Sequence, residues 1–266
     1  MLADWRDKVV LITGGSAGFG LALANAFAQV GAKLVLVARD AERLEAAAAP
    51  LRSQGVDVLT ITADITRDDD VARMIQGAVE RYGRLDVLVN NAGRSSRGRL
   101  LETPLDEFRA QWELNFLALV RCTLAAAPHL IVSRGHVVNI ASLAAKSASR
   151  FLGAYATSKF PVAAFSQQLR LELAEQGVHV LLVCPGPLRR NDTSPRYAAS
   201  NLPESASKPG AGVKLRGIDP QRLAARVVKA CQRRDLELVV PLKARILFAI
   251  SQLSPRLGDW IIGKMT

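Results

Sequence analysis

Short apolar runs recur along the chain, with longer mixed stretches between them. Lys8–Thr13, Leu34–Ala38, Val56–Thr62, Leu85–Val89, His136–Ile140, Val178–Val183 and Leu236–Val240 are almost uniformly apolar. They do not alternate between apolar and polar positions, as expected of parallel strands covered by helices on both faces. Between them, Ala41–Ser53 and Arg67–Tyr82 read as helices. Thr103-Pro104-Leu105-Asp106 predicts a helix start, with Thr103 as N-cap, Pro104 in the first position and an acid in the third. Asp219-Pro220 predicts another. The alternation predicts an α/β fold in which a single domain, residues 1–266, holds one doubly wound parallel sheet.

Two segments break the rhythm. From Gly186 to Gly217 the chain is polar and rich in Pro, Ser, Gly and Arg. A connection this long suggests a lid or binding loop, assigned to residues 187–218, and it follows a strand end where ligands sit in open α/β sheets. The tail, residues 242–266, combines an apolar face with Lys243, Arg245, Arg256 and Lys264, and Ser254-Pro255 divides it into two short helices. It suits core packing, a subunit contact or peripheral contact with a membrane surface.

Composition narrows the function. Hydrophobic residues make up 49% of 266, enough for a sizeable core. Asp4, Arg6, Asp7 and Lys8 rule against a signal peptide. No apolar run approaches the roughly 18 residues that span a bilayer, and Ala244–Ile250 is too short. A cytoplasmic protein is the default expectation. The net charge of +11 is spread along the chain without a block of like charges, and no zinc-finger or aromatic RNA-binding signature accompanies it. Nucleic-acid binding is therefore not expected, and a positive field would instead draw in a polyphosphate ligand. Cys122, Cys184 and Cys231 are far apart and read as free thiols; His129, His136 and His179 are scattered, so no metal site is expected.

The first run ends in Thr13-Gly14-Gly15-Ser16-Ala17-Gly18-Phe19-Gly20, followed by a helical pattern. Glycines let a backbone turn tightly against a pyrophosphate, and the helix N-terminus offers free N–H groups to it. Gly14, Ser16, Gly18, Phe19 and Gly20 are the candidate dinucleotide-binding residues. The second run ends in Val37-Ala38-Arg39-Asp40, where an acid would favour NAD and a base the 2′-phosphate of NADP. Arg39 points to NADP over NAD; Asp40 complicates that reading unless it caps the next helix, and a solvated Arg-Asp pair is the plainer alternative.

Tyr155-Ala156-Thr157-Ser158-Lys159 places a phenol and an ammonium one helical turn apart. The ammonium favours the phenolate, so the pair suits a general acid for ketone reduction or a base for alcohol oxidation. Ser142 follows the fifth run and could hold the substrate oxygen; Asn115, a poor helix former, sits inside a long helical stretch and asks for a reason. Asn90-Asn91-Ala92-Gly93 and Pro185-Gly186 end the fourth and sixth runs.

Together these residues resemble the short-chain dehydrogenase/reductase family, over about residues 7–187 and arguably the whole chain. The glycine motif of Thr13 to Gly20, the Asn-Asn-Ala-Gly motif at Asn90 to Gly93, and Asn115, Ser142, Tyr155 and Lys159 at the family's intervals carry the likeness. It implies a Rossmann fold and hydride exchange between NADP(H) and a ketone, aldehyde or secondary alcohol. Tyr155 would transfer the proton, Lys159 would lower its pKa and bind the nicotinamide ribose, Ser142 would orient the carbonyl, and Asn115 would hold a water linking Lys159 to solvent. Asp64 and Ile65 would meet adenine, Asn91 and Gly93 the adenosine ribose side, and Pro185 and Gly186 the nicotinamide side. Homodimers or homotetramers are common in the family.

Two features depart from the pattern. Pro161 lies two residues after Lys159, and Pro187-Leu188-Arg189-Arg190 stands where the family often has a carboxamide-binding threonine, with Thr193 only later. The arginines there would favour an anionic substrate or form a solvated basic loop. The tail and Val37-Ala38-Arg39 are also similar to members acting on lipid or steroid ketones. The rival reading is a non-catalytic dinucleotide sensor or scaffold on the same fold, which would have no need of Tyr155 and Lys159.

Overall fold

The computed structural model describes residues 5–189, 202–203, 206 and 217–265. Arg190, Thr193 and most of the expected lid lie outside the described residues.

Strands β1 (Val9–Thr13), β2 (Lys33–Ala38), β3 (Val58–Thr62), β4 (Val87–Asn90), β5 (His136–Ile140), β6 (His179–Pro185) and β7 (Glu237–Val240) form one parallel sheet in the order β3-β2-β1-β4-β5-β6-β7. The order reverses at β1, between β2 and β4. Crossovers leave in opposite directions there and open a crevice at the C-terminal ends of these strands. Both faces of the sheet are covered, which explains why β1, β4 and β6 are buried along their whole length.

Helices α1 (Gly18–Ala28), α2 (Ala41–Ser53) and α7 (Pro220–Arg233) cover one face, packing Phe27, Leu23, Leu44, Leu51 and Val227 against Val10, Ile12, Leu34 and Leu36. Helix α3 (Asp68–Tyr82), the long α4 (Leu105–Trp112) and α5 (Ala118–Ser133) pair, and α6 (Tyr155–Glu172) cover the other. Local chemistry sets the ends. Asp40 caps α2 by accepting from the Arg43 amide at 3.0 Å, and Asp219 caps α7 by accepting from Gln221 and Arg222, with Pro220 following it. Asp68, Asp69 and Asp70 lie at the positive end of α3.

Several expected boundaries move. The helix after Thr103 starts at Leu105 with Pro104 as its N-cap, because the Thr103 hydroxyl donates to the Arg99 carbonyl at 2.8 Å and is not free to cap. Strand β6 runs on through Cys184 and Pro185 because β7 pairs with both. Helices α4 and α5 are joined by a π-helical turn, Glu113–Leu117, into a continuous 29-residue helix. Among the described residues, the helix Leu105–Ser133 contains an 18-residue window of mean hydropathy 1.7, long and apolar enough to cross a membrane by length and composition, which corrects the expectation that no such stretch exists. Arg121 and His129 break the apolar run without lowering its average enough to matter. Ala118, Cys122, Ala126 and Leu130 of α5 are buried against the sheet. Ser254-Pro255 does separate two helices, α8 (Ala244–Leu253) and α9 (Pro255–Met265).

The histidines are less scattered than their numbers suggest. His136 and His179 lie opposite each other at the start of β5 and β6, with 2.8 Å between their Nδ1 atoms, and Trp5 lies against His136. The described residues hold no cluster of three metal-ligating groups. Cys122, Cys184 and Cys231 are buried and free.

Candidate active site

The loops at the C-terminal ends of the strands line one cleft of about 2140 Å³. Such a volume exceeds the ~300–1,000 Å³ typical of a small-ligand pocket and leaves room for a dinucleotide and a second molecule. Of the sequence-predicted site residues, Gly14, Ser16, Gly18, Phe19, Gly20, Arg39, Asp64, Ile65, Asn91, Gly93, Ser142, Tyr155, Lys159, Pro185 and Gly186 all line it; Asn115 does not.

At one end the glycine turn connects β1 to α1. Gly14 has φ +66°, and a Cβ on Gly20 would sit 2.1 Å from the Gly14 carbonyl oxygen, so α1 closes onto the turn only with glycine there. Around Gly18 the space is open: a Cβ would meet nothing within 4 Å. No side chain caps α1 and no acid occupies its first turn, so its N-terminal amides and positive dipole face the cleft. This cradle fits a pyrophosphate. Thr13, which the sequence reading quoted but did not assign, locks the turn to the neighbouring loop. Its hydroxyl accepts from the Asn91 and Ala92 amides at 3.0 and 3.1 Å, and Asn91 Nδ2 donates to the Thr13 carbonyl.

Arg39 and Asp40 follow β2 on the same side. Asp40 caps α2, as the alternative reading of that position expected. Arg43, one turn into α2, also lines the cleft; only its helical spacing from Arg39 could have revealed it. Asp64 accepts from the Thr66 amide and hydroxyl, and these bonds, with the Arg39 charge, hold its carboxyl below the usual carboxylate range.

At the other end, Tyr155 opens α6 and Lys159 lies one turn along. Lys159 is buried; its Nζ donates to the Ile140 carbonyl at 3.1 Å, and desolvation pulls its pKa down to about 8. Tyr155 packs beside Ala144, Leu152 and Ala156. The Ser142 hydroxyl accepts from the Ala144 amide at 3.1 Å, capping a short turn at Leu143–Ala145, and keeps its hydrogen for another acceptor. Pro161 is the seventh residue of α6, so it denies the Thr157 carbonyl its helical amide partner.

Asn115 occupies the π-helical turn, which explains a poor helix former there. Its Oδ1 accepts from the Arg94 amide at 2.9 Å, and its Nδ2 lies 2.8 Å from the Arg94 carbonyl and 2.9 Å from Ser158 Oγ. Gln111 also approaches it, at 2.6 Å. Asn115 thus fastens the loop after β4 to α6. A Cβ on Gly93 would sit 2.8 Å from Asn115 Oδ1 and 3.5 Å from Lys159 Nζ, so only glycine lets this loop pass so close. Beneath lies a buried chain that sequence reasoning missed beyond the asparagines. Asn90 donates to Thr123 and to Asn139, Asn139 to Ser166, and Ser166 to the Val162 carbonyl, tying β4, β5, α5 and α6 together.

Past the sheet, the Gly186 amide donates to the Val240 carbonyl and the Arg189 amide to the Ile218 carbonyl, both at 2.7 Å. The Arg189 side chain lies 3.9 Å from Asp219.

Comparison with known proteins agrees with this geometry. A sequence model of the short chain dehydrogenase family matches residues 8–199. A dehydrogenase/reductase SDR family protein 7-like from Anopheles gambiae is 32% identical over 97% of this chain and 83% of its own length. The ketoacyl reductase HetN of Nostoc sp. is 30% identical over 96% of this chain and 88% of its own. The structure of L-sorbose reductase from Gluconobacter frateurii, complexed with NADPH and L-sorbose, is similar with a TM-score of 0.79 at 28% identity, covering 90% of this chain and 97% of that one.

Proposed function

Since the chain belongs to the short-chain dehydrogenase/reductase family and is an oxidoreductase of that family, we propose that it transfers hydride between NADP(H) and a ketone, aldehyde or secondary alcohol, with Tyr155 as general acid or base. One observation carries this reading: a single cleft joins the glycine turn and Arg39 to Tyr155, Lys159 and Ser142.

The residues fit the cofactor. The α1 N-terminus and Gly18 would hold the pyrophosphate, Asp64 and Ile65 the adenine side, and Pro185 and Gly186 the nicotinamide side. Arg39 and Arg43 would take a 2′-phosphate by charge and paired hydrogen bonds. The NADPH held by the related L-sorbose reductase supports that choice. When bound, the cofactor supplies the hydride. The protein's residues then act on the substrate oxygen. Ser142 donates a hydrogen bond to it, and Tyr155 gives it a proton as the carbonyl carbon is reduced; in the reverse direction Tyr155 takes the alcohol proton. Lys159, held by the Ile140 carbonyl, favours the phenolate with its charge. Asn115 keeps the Gly93-Arg94 loop and Ser158 in place around it.

Replacing Tyr155→Phe tests the reading. Turnover is expected to fall by ~10²-fold or more while NADPH affinity is kept. Undiminished turnover would remove Tyr155 as the proton donor, and a wild-type chain that binds NADPH yet reduces no carbonyl would favour the sensor reading.

The remaining surface suggests partners. Leu124 on α5 and Phe160 and Leu171 on α6 are exposed and suit a homodimer or homotetramer contact, which sedimentation of a Leu124→Asp variant would detect. Leu253, Leu257 and Trp260 on the tail are exposed beside Arg256 and Lys264 and suit peripheral contact with an anionic membrane, checked by co-sedimentation with vesicles.

A further inference from the structure

The cleft changes character beyond Tyr155. Its inner side at that point is Leu152, which packs with Ala144 and Ala156 against the tyrosine. Among the described residues, its far wall is supplied by the two tail helices, through Leu247 and Ile250 of α8 and Ile261, Ile262 and Met265 of α9.

The wall is firmly seated. Phe248 is buried among Leu182, Val239 and Val162, which fixes α8 to the sheet edge. Helix α9 folds back across α8 so closely that a Cβ on Gly258 would lie 2.4 Å from Ser251 Oγ and 2.7 Å from Ser251 Cα. A Cβ on Gly263 of the same helix would lie 3.9 Å from Arg150 Nη2, which brings α9 beside the segment that leads into Leu152 and Tyr155. The tail therefore spans the cleft from the β7 edge to the α6 entrance and turns aliphatic side chains into it.

Among the described residues, several cations at this end have protein partners, and Arg150 is exposed. Arg94 pairs with Glu107 at 2.8 Å, Arg97 donates to the Ser96 and Ala206 carbonyls, and Arg189 lies near Asp219. Lys243 is exposed and belongs to the rim. Among the described residues, polar partners for a carbonyl oxygen lie at Ser142 and Tyr155; Ser95, Ser147 and Ser149 also line the cleft, and aliphatic surface extends along the tail helices.

We infer that the substrate is a ketone or secondary alcohol carried near one end of an extended, uncharged apolar body, such as a medium-length alkyl chain, which lies between Leu152 and the tail helices. This rests on the carbonyl–alcohol reading and names the class of molecule that reading leaves open. Small polar carbonyl compounds and polyhydroxylated ketoses fit poorly, because their hydroxyls would lose water without gaining partners along this wall. Burial against it acts on specificity through hydrophobic transfer, which favours each added methylene until the chain leaves the cleft.

The test is NADPH-dependent reduction of the 2-alkanones from 2-butanone to 2-dodecanone, with a ketohexose as the polar comparison. The expected kcat/KM rises roughly threefold per methylene before levelling, and the ketohexose falls below 2-octanone. In an Ile250→Ser/Ile262→Ser variant the rise per methylene shrinks. NADPH affinity and the melting temperature of that variant report whether it has folded, and the wild-type series stands on its own if it has not. A flat or falling series with 2-butanone still reduced, or preference for the ketohexose, overturns the inference and leaves the oxidoreductase reading intact. No reduction of any carbonyl by a chain that binds NADPH overturns both.

Discussion

Lys159 is placed where it weakens the fold, and removing its charge should make the protein more stable while disabling it. The ammonium is buried, and its pKa falls from 10.5 to about 8 because desolvation penalises the charged form. At pH 7 the group is charged in both the folded and the unfolded chain, so the folded state bears the full penalty, about 3 kcal/mol. Lys159→Met keeps a chain of similar length and removes the charge. It also deprives the Ile140 carbonyl of the donor now 3.1 Å away, a loss of about 1 kcal/mol. The net expectation is a gain of about 2 kcal/mol at pH 7, or roughly 4–8 °C in melting temperature for a chain of this size. The pH dependence is more diagnostic than the size. Between pH 8 and 10.5 the folded lysine has released its proton while the unfolded one still holds it, so wild-type stability rises with pH across that window. The advantage of the variant should therefore shrink from pH 8 upwards and vanish above 10.5. Paired urea titrations of both proteins at pH 7, 8.5 and 10 measure this. A variant less stable than wild type at pH 7, or a difference that stays constant with pH, would refute the reasoning.

Three other outcomes are expected. Arg39→Ala should weaken NADPH by about tenfold or more, the worth of a charge-assisted bond, and leave NADH nearly unchanged, as calorimetric titration of both nucleotides would show. Gly20→Ala places a methyl group 2.1 Å from the Gly14 carbonyl oxygen and 2.6 Å from Asn91 Nδ2, so the turn must open; NADPH affinity should drop by about tenfold or more, with some loss of melting temperature. His136 and His179 are both held below 6.5, chiefly by desolvation, and Arg234 lowers both further while Asp86 opposes this at His136 and the Asp235 carbonyl at His179. The folded chain thus binds fewer protons than the unfolded one below pH 6.5, and stability should fall as pH drops through that range; in a His179→Asn variant the urea midpoint should depend on pH less steeply there.

The strand positions could be inferred because buried parallel strands demand apolar runs, and this chain supplies them at each strand. Boundaries were less legible, since they depend on what a strand pairs with. Pro185 belongs to β6 because β7 lies beside it, which no local pattern records. The N-cap failed at Thr103 for a similar reason: its hydroxyl had another acceptor one turn back. The π-helical turn around Asn115 was visible only as an oddity, a polar residue in an apolar helix, and its purpose becomes apparent once Arg94 and Ser158 are seen to share that side chain.

The two ends of the cleft differ in legibility for a physical reason. At the cofactor end the backbone itself approaches its neighbours. A Cβ on Gly20 or Gly93 would meet the Gly14 carbonyl or Asn115 Oδ1, so no other residue type satisfies these positions and the requirement is written as a motif. Tyr155 and Lys159 are fixed in the same way, by the need for a phenol and an ammonium one helical turn apart. At the far end the requirement is for apolar volume at the right distance. Leu, Ile and Met meet it interchangeably, and residues from α8, α9 and the Leu152 segment, about a hundred positions apart in the chain, share the task. A wall of that kind leaves no fixed spacing to recognise, yet on the proposed reading its composition would limit the substrate as the glycines would limit the cofactor. If the proposed substrate class holds, substitutions along the tail helices should change which carbonyl compound is accepted before they change how its oxygen is handled.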